Sequence, residues 1–334
     1  FGYPKTIGTD DLRGAIAHWM RVCRGVDMDA VGAGVVPTVG SKEAVALMAS
    51  LLGLGQGDVV IQPKVSYPTY EIGTQIAGAS VHKVDDVADT DSWRTIPGVK
   101  AIWINSPSNP TGAVLSADQL AGIVAAAREI GAVVLSDECY AMMDWRTAST
   151  HDDSNEAQAA NSFSLSSTPC VLSPTVCEGS AKGVLMLYSL SKQSNMAGYR
   201  TAFIAGDGDI IKHMSAYRKQ LGLIIPGPVQ AAMAAGLRDV ASVHNQWKRY
   251  RYRLESLVSA LRDYGYDAHM PQGGLYVWVK ALSGDCWKDM AALADLGIVP
   301  SPGEFYGAPD SLRFSSTADD ETIELACSAL RHAA

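Results

Sequence analysis

The sequence lacks the spacings that metal chemistry leaves behind. Its six cysteines (Cys23, Cys139, Cys170, Cys177, Cys286 and Cys327) form no CxxC pair, and its seven histidines form no HxxxH or HExxH pair. Both absences argue against structural zinc and against a zinc protease, and no metal ligand set is expected. Also missing is an unbroken apolar run long enough to span a bilayer. The longest, Gly222 to Leu237, is interrupted by Pro226 and Pro228 and falls short of the roughly 20 residues a spanning helix needs. No amino-terminal signal pattern is present, so reduced thiols in a cytoplasm are the expectation. Basic charge is in deficit, with 27 Lys and Arg against 35 Asp and Glu and a net charge of -8. Lysine and arginine form no patch of the kind that tracks a phosphate backbone, and nucleic acid is not an expected partner.

What remains is ample apolar material, 47% of 334 residues, more than one core usually organises, so two domains are expected. From about Asp29 to Gly206 short apolar runs alternate with helical stretches: GDVVIQ, TYEIGTQIAGA, KAIWIN, SADQLAGIVAAAREIG and AVVLSDE. This rhythm predicts an α/β fold with a largely parallel sheet covered on both faces. Residues 146–182, rich in Ser, Thr, Asn and Ala, break it and predict an irregular insertion. After Pro226 a long helical pattern runs to about Tyr264. An alternating GGLYVWV strand, a helix near Trp287 to Leu296, the strand SLRFSS and a closing helix follow. They predict a smaller α+β domain over 226–334, beside a large domain over 29–225 and an amino-terminal segment over 1–28 with a helix from Asp10 to Arg24.

In such sheets ligands sit at the carboxyl ends of the strands. The informative residues follow apolar runs there. After GVLMLY comes SLSKQSNMAGYR, with Lys192 between Ser189 and Arg200. A lysine amine can join the aldehyde of pyridoxal phosphate as a Schiff base, while a serine hydroxyl and an arginine fork suit a phosphate dianion. Asp137 and Tyr140, in SDECY after VVLS, offer a carboxylate for a pyridine nitrogen and a donor for a ring oxygen. Asn109, in NSPSNPTG, offers an amide to the same oxygen. Ser41 and Lys42 open a helix whose free N–H groups could receive a phosphate. Tyr67 could stack on the ring, and Arg313 could hold a substrate carboxylate.

Taken together, these segments resemble the class I and II aminotransferases of fold type I, the resemblance running from GYPKTIGTDDLRGAIAHW to SLRFSS. The resemblance implies a pyridoxal phosphate-dependent transferase. Lys192, Asp137 and Tyr140 would carry the chemistry, Asn109 would touch both the ring oxygen and the substrate, and Ser41, Lys42, Ser189 and Arg200 would hold the phosphate. Tyr67 would stack on the ring and Arg313 would take the α-carboxylate. It also implies a homodimer, with Tyr3 reaching the neighbouring subunit's phosphate and the opening helix packed on the small domain.

More narrowly, PTVGSKEAV, SYPTYEIG, GLIIPGPVQAAM and PGEFYG are similar to the actinobacterial succinyldiaminopimelate aminotransferases. That likeness implies ping-pong amino transfer from glutamate to N-succinyl-2-amino-6-oxopimelate, a step toward lysine and cell-wall precursors. Aspartate, alanine or LL-diaminopimelate transamination, carbon-sulfur lysis and a cofactor-binding regulatory role stay open as alternatives. The sequence opens on Phe1, so a further upstream segment is expected, where the family carries a glycine-containing loop at the substrate carboxylate.

Overall fold

The structure is a computed structural model that describes residues 2–146 and 167–333. Helix α1 (Asp10–Arg24) starts where Thr9 accepts the Leu12 N–H and stops at the left-handed Gly25. Its buried residues Leu12, Ala15, Ile16, Trp19, Met20 and Cys23 recur at helical spacing and form one apolar face. Next come β1 (Ala33–Val39), α2 (Gly40–Leu51), β2 (Val59–Pro63), α3 (Thr69–Ile76) and β3 (Ser80–Val84). They are followed by β4 (Val99–Asn105), α4 (Ala117–Glu129), β5 (Val133–Asp137), β6 (Val184–Ser189) and β7 (Thr201–Asp207). A capping box between Ser116 and Gln119 opens α4.

These strands form a seven-stranded sheet in the order β1-β7-β6-β5-β4-β2-β3. All neighbours pair parallel except those of β7, which runs antiparallel to both β6 and β1. The expected parallel sheet is therefore present with one reversed strand. The apolar runs are continuous because both faces are covered. Leu185 and Leu187 of β6 face one layer with Ala101, Trp103, Leu135 and residues of α2, while Val184, Met186 and Tyr188 face the other with α1 and α4. Each such buried side chain contributes roughly 2 kcal/mol. Trp19 of α1 lies 4.2 Å from Tyr188 by ring centroid, so the opening helix packs on the large sheet as well as on the helix Gly227–Arg238.

The carboxyl-terminal part holds a three-stranded antiparallel sheet, β8 (Tyr276–Lys280), β10 (Ser311–Ser315) and β9 (Ser301–Pro302), in that order. The helices Val240–Tyr264 and Asp320–His332 pack on each other beside it. The helical pattern after Pro226 is two helices rather than one. Asp239 breaks it, its side chain accepting the Ser242 N–H at 3.0 Å and capping the second helix. Within that helix the basic run of residues 248–253 is divided, with Arg251 paired to Glu255 and Arg253 to Asp320.

The described part of the serine-rich stretch carries little regular structure beyond one short helical turn, Pro174–Cys177. Residues 147–166 lie outside the described residues. In 167–182, Thr168, Cys170, Val171, Leu172, Val176, Cys177 and Ala181 are buried, and the turn Pro174–Cys177 packs against α4. The serines dilute the composition, but the apolar residues among them fill the layer beneath α4.

A buried ion pair ties this segment to the sheet. Arg24 Nη2 meets Glu138 Oε2 at 2.6 Å, and Arg24 Nη1 donates to the Thr168 carbonyl at 2.8 Å. Glu138 Oε1 accepts from Ser136 Oγ at 2.9 Å and from the Val171 N–H at 2.8 Å. Removing one member leaves the other charge buried and unpaired. Arg24→Ala should therefore lose about 3 to 5 kcal/mol of stability in urea unfolding, and a loss under about 1 kcal/mol would contradict this reading of the pair.

Candidate active site

The strands β4, β5 and β6 end at one edge of the sheet, with Asn105 opposite Asp137 and Asp137 opposite Leu187. Above that edge lies a cleft of about 340 Å³. Every residue singled out from the sequence lines it except Tyr3, which is 98% exposed near the amino end. Ser41 and Lys42 enter from the start of α2, Tyr67 from the turn before α3, and Asn109 from the loop after β4. Asp137 and Tyr140 follow β5. Ser189, Lys192 and Arg200 follow β6, and Arg313 reaches in from β10. Cis peptide bonds precede Pro107 and Pro110 in the Asn109 loop.

At the floor, Asp137 is buried and doubly bonded. Tyr70 Oη donates to its Oδ2 at 2.8 Å, and the Cys139 N–H donates to its Oδ1 at 3.2 Å. Tyr70 is itself buried against Trp103, ring centroids 4.5 Å apart and nearly parallel. Burial pushes the Asp137 carboxyl above its ordinary value, and the Cys139 and Tyr70 hydrogen bonds only partly oppose this. Such a group is matched by a cation placed beside it. Asn105 ties the strand end to the neighbouring loop, its Nδ2 donating to the Asp137 carbonyl at 2.9 Å and its Oδ1 accepting the Asn109 N–H at 2.7 Å. Burial and Asp137 push the Cys139 thiol up, so it stands in the cleft as a neutral group.

One end of the cleft suits a dianion. The chain leaves β1 through Gly40, at φ 75°, where an added Cβ would overlap the Arg200 guanidinium. The Gly40 N–H donates to the Arg200 carbonyl at 2.9 Å. Glu43, held by Arg218 at 2.8 Å, accepts the Val39 N–H at 3.1 Å, and no side chain caps the N-terminus of α2 itself. The first N–H groups of α2 therefore face the cleft beside Arg200, where the helix dipole adds positive potential. Ser189 Oγ bonds to Ser191 Oγ at 2.8 Å and donates to the Thr201 carbonyl at 3.1 Å, setting two hydroxyls at the same end.

The opposite end suits a carboxylate. Arg313 Nη1 donates to Asn109 Oδ1 at 2.8 Å and Nη2 to Ser301 Oγ at 3.2 Å. Its Cζ lies 3.9 Å from the Tyr276 ring centroid and 4.9 Å from that of Tyr306. Its Nε is buried without a partner. Tyr140 Oη lies 3.0 Å from Tyr276 Oη, and burial pushes the Tyr140 hydroxyl up, so it remains a donor.

Tyr70, Tyr276, Tyr306 and Ser191 were not among the residues singled out from the sequence, whereas Asn105, at the end of AIWIN, stands at the strand end where the apolar run places it. The only local signals for the other four are the second tyrosine of SYPTY and the repeated serine of SLS. The described residues contain no cluster of three or more His, Cys, Asp or Glu that could hold a metal, and no helix among them is long and apolar enough to cross a membrane.

A mostly parallel seven-stranded sheet with one reversed internal strand, and with a lysine, a buried acid and an anion cradle at its strand ends, matches the fold type I pyridoxal phosphate enzymes. Residues 1–330 match the family described as Aminotransferase class I and II, and the chain belongs to that family. It is 41% identical over 332 residues to the 4-dedimethylamino-4-oxo-anhydrotetracycline transaminase of Streptomyces rimosus, covering 98% of this chain and 85% of that protein. It is 28% identical to the LL-diaminopimelate aminotransferase of Syntrophobacter fumaroxidans, covering 98% of this chain and 82% of that one. Aspartate aminotransferase from Thermus thermophilus with maleate shares the fold, at a TM-score of 0.83 and 23% identity over 100% of this chain and 84% of that one.

The protein is thus a pyridoxal phosphate-dependent aminotransferase. The residues present fit that cofactor: the Gly40 cradle, the α2 N-terminus and Arg200 suit its phosphate, and the buried Asp137 suits a protonated ring. Asp137 has a measurable signature without cofactor. Its raised folded-state value means that the neutral form is favoured in the fold, so its contribution to stability is full below the ordinary value of 3.8 and falls as pH rises above it. Apo Asp137→Asn should gain stability relative to the unsubstituted apoprotein at pH ~7, with the gain vanishing below pH ~4. A gain independent of pH in urea unfolding would contradict this.

Proposed function

We propose that this aminotransferase carries an amino group from glutamate to N-succinyl-2-amino-6-oxopimelate in a ping-pong course, with paired subunits sharing their sites. The observation that carries the amino acid half of the reading is the Arg313 fork, while the acceptor rests on the motif resemblance. Its guanidinium lies 3.9 Å from the Tyr276 ring centroid and 4.9 Å from that of Tyr306, a fixed planar fork lining the cleft that suits an α-carboxylate. A second cation lines the same cleft: Lys42 Nζ stands 6.0 Å from the Tyr67 ring centroid. A basic side chain in the cleft besides those assigned to the cofactor and the α-carboxylate supports a dicarboxylic amino acid such as glutamate as donor.

Pyridoxal phosphate supplies an aldehyde that joins an amine and a ring that draws electrons from the adjacent carbon. The positions of the chain's own residues support the following roles. Lys192, which lines the cleft, would be the amine that holds the aldehyde, and its free amine would carry the proton at the substrate's α carbon. Asp137 keeps the ring nitrogen protonated, its charge held by Tyr70 and the Cys139 N–H. Asn109 and Tyr140 donate to the ring oxygen, and Tyr67 covers the ring face. Ser41, Lys42 through its backbone, Ser189 and Arg200 hold the phosphate. Arg313 orients the substrate. Tyr3, exposed on the single chain, would reach the partner subunit's phosphate.

A second reading rests on the Streptomyces rimosus relative, whose name specifies a 4-oxo ring ketone and which is the more similar of the two curated relatives. Both readings share the glutamate half-reaction and differ in acceptor.

Two experiments test these assignments. Lys192→Ala should abolish the absorbance of lysine-bound cofactor and reduce turnover by at least about 10⁴-fold, and wild-type turnover would refute its role. In an acceptor panel followed by the spectral change of the cofactor, the N-succinyl keto acid should return the aminated enzyme to its starting spectrum. A panel in which only polycyclic ketones, or only the keto acids of aspartate and alanine, do so would overturn the first reading.

A further inference from the structure

Tyr276 touches both halves of the site, and neither the sequence motifs nor the family match assigns it a part. It opens β8, opposite Ser315 of β10, while Arg313 stands opposite Trp278. Side chains alternate along a strand, so Tyr276, Trp278 and Arg313 share one face of the small sheet and Tyr276 is the diagonal neighbour of Arg313. This register brings the Arg313 guanidinium onto the Tyr276 ring at 3.9 Å. At its other end the Tyr276 hydroxyl is 3.0 Å from that of Tyr140, with the two rings edge to face at 5.7 Å. One buried side chain therefore bridges the two sheets, its ring under the carboxylate-binding cation and its hydroxyl on the donor that faces the cofactor.

We propose that Tyr276 is a positioning residue that couples the two subsites, its ring fixing the plane of Arg313 and its O–H strengthening Tyr140 as a donor to the cofactor's ring oxygen. The proposal rests on the placement of Tyr140 at that oxygen. A hydroxyl oxygen that accepts a hydrogen bond becomes a stronger donor through its own proton, because the two bonds polarise one another. With the Tyr140 proton directed at the ring oxygen, the 3.0 Å contact between the two hydroxyls leaves the Tyr276 O–H as its donor, and Tyr140 would then stabilise negative charge on that oxygen more strongly. A carboxylate docking on Arg313 meets a guanidinium whose plane is already set, and less side-chain freedom is lost on binding.

Two substitutions separate the roles. Tyr276→Phe keeps the ring under Arg313 and removes the hydroxyl. In the holoenzyme, the pH midpoint of the absorbance of Lys192-bound pyridoxal phosphate should move upward by roughly half a unit or more, because weaker stabilisation of the ring oxygen makes the neighbouring imine nitrogen more basic. Maleate affinity, read from its spectral perturbation, should stay within about twofold. Tyr276→Leu removes ring and hydroxyl together, so the same midpoint shift should be joined by roughly fivefold weaker maleate binding.

Tyr140→Phe is the control for the placement beneath the proposal. If Tyr140→Phe moves the midpoint and Tyr276→Phe does not, the coupling role of Tyr276 is wrong while Tyr140 stands. If Tyr140→Phe leaves the midpoint unchanged, the reading of Tyr140 fails and takes the proposal with it. Equal loss of maleate affinity in the Phe and Leu variants would also overturn it, because the ring alone would then have no part in setting Arg313.

Discussion

A carboxylate buried at the end of a central parallel strand is the constraint on which the rest of this site depends. Asp137 is paired on one side with β4 and on the other with β6, and the fold supplies it two donors, Tyr70 and the Cys139 N–H. Two neutral donors do not repay the removal of a full charge from water, which is why burial still pushes the carboxyl up. A cation placed over it completes the balance. The protonated ring of pyridoxal phosphate would be such a cation, and a ring seated there would turn an electrostatic cost of burial into an attraction.

The topology brings the other groups to the same place. β1, β4, β5 and β6 run in one direction, so Gly40, Asn105, Asp137 and Ser189 all emerge at one edge although they lie far apart in sequence. Next to Asp137 the buried Arg24–Glu138 pair fixes the turn that carries Cys139 and Tyr140, tying it to the opening helix and to residues 168–171. The small sheet delivers Arg313 and Tyr276 from the other side. The cleft is thus a junction of two sheets, lined from both.

Much of this was legible from contiguous motifs. NPTG, SDECY and SLSKQSNMAGYR each place a functional group directly after an apolar strand, and the parallel order of those strands makes strand ends coincide in space. The less legible residues act through contacts that sequence spacing does not encode. Tyr70 meets Asp137 across 67 positions and Tyr140 meets Tyr276 across 136. A tyrosine in a helix or a strand looks like core until its hydroxyl's partner is known. The reversed direction of β7 was hidden for the same reason, since TAFIAGD reads as a buried strand in either direction. At 167–182 the irregular chain still buries apolar residues among its serines, which composition does not show, and the helical periodicity after Pro226 ran through Asp239, which caps a second helix.

The central claim is that the amine of Lys192 is the one joined to the cofactor, above the acid at 137. Borohydride reduction of the protein loaded with pyridoxal phosphate, followed by digestion and mass spectrometry, tests it most directly. The account predicts a single pyridoxyl adduct on the peptide containing Lys192. An adduct confined to another lysine, Lys42 in the same cleft above all, or no adduct under conditions of full activity, would contradict it.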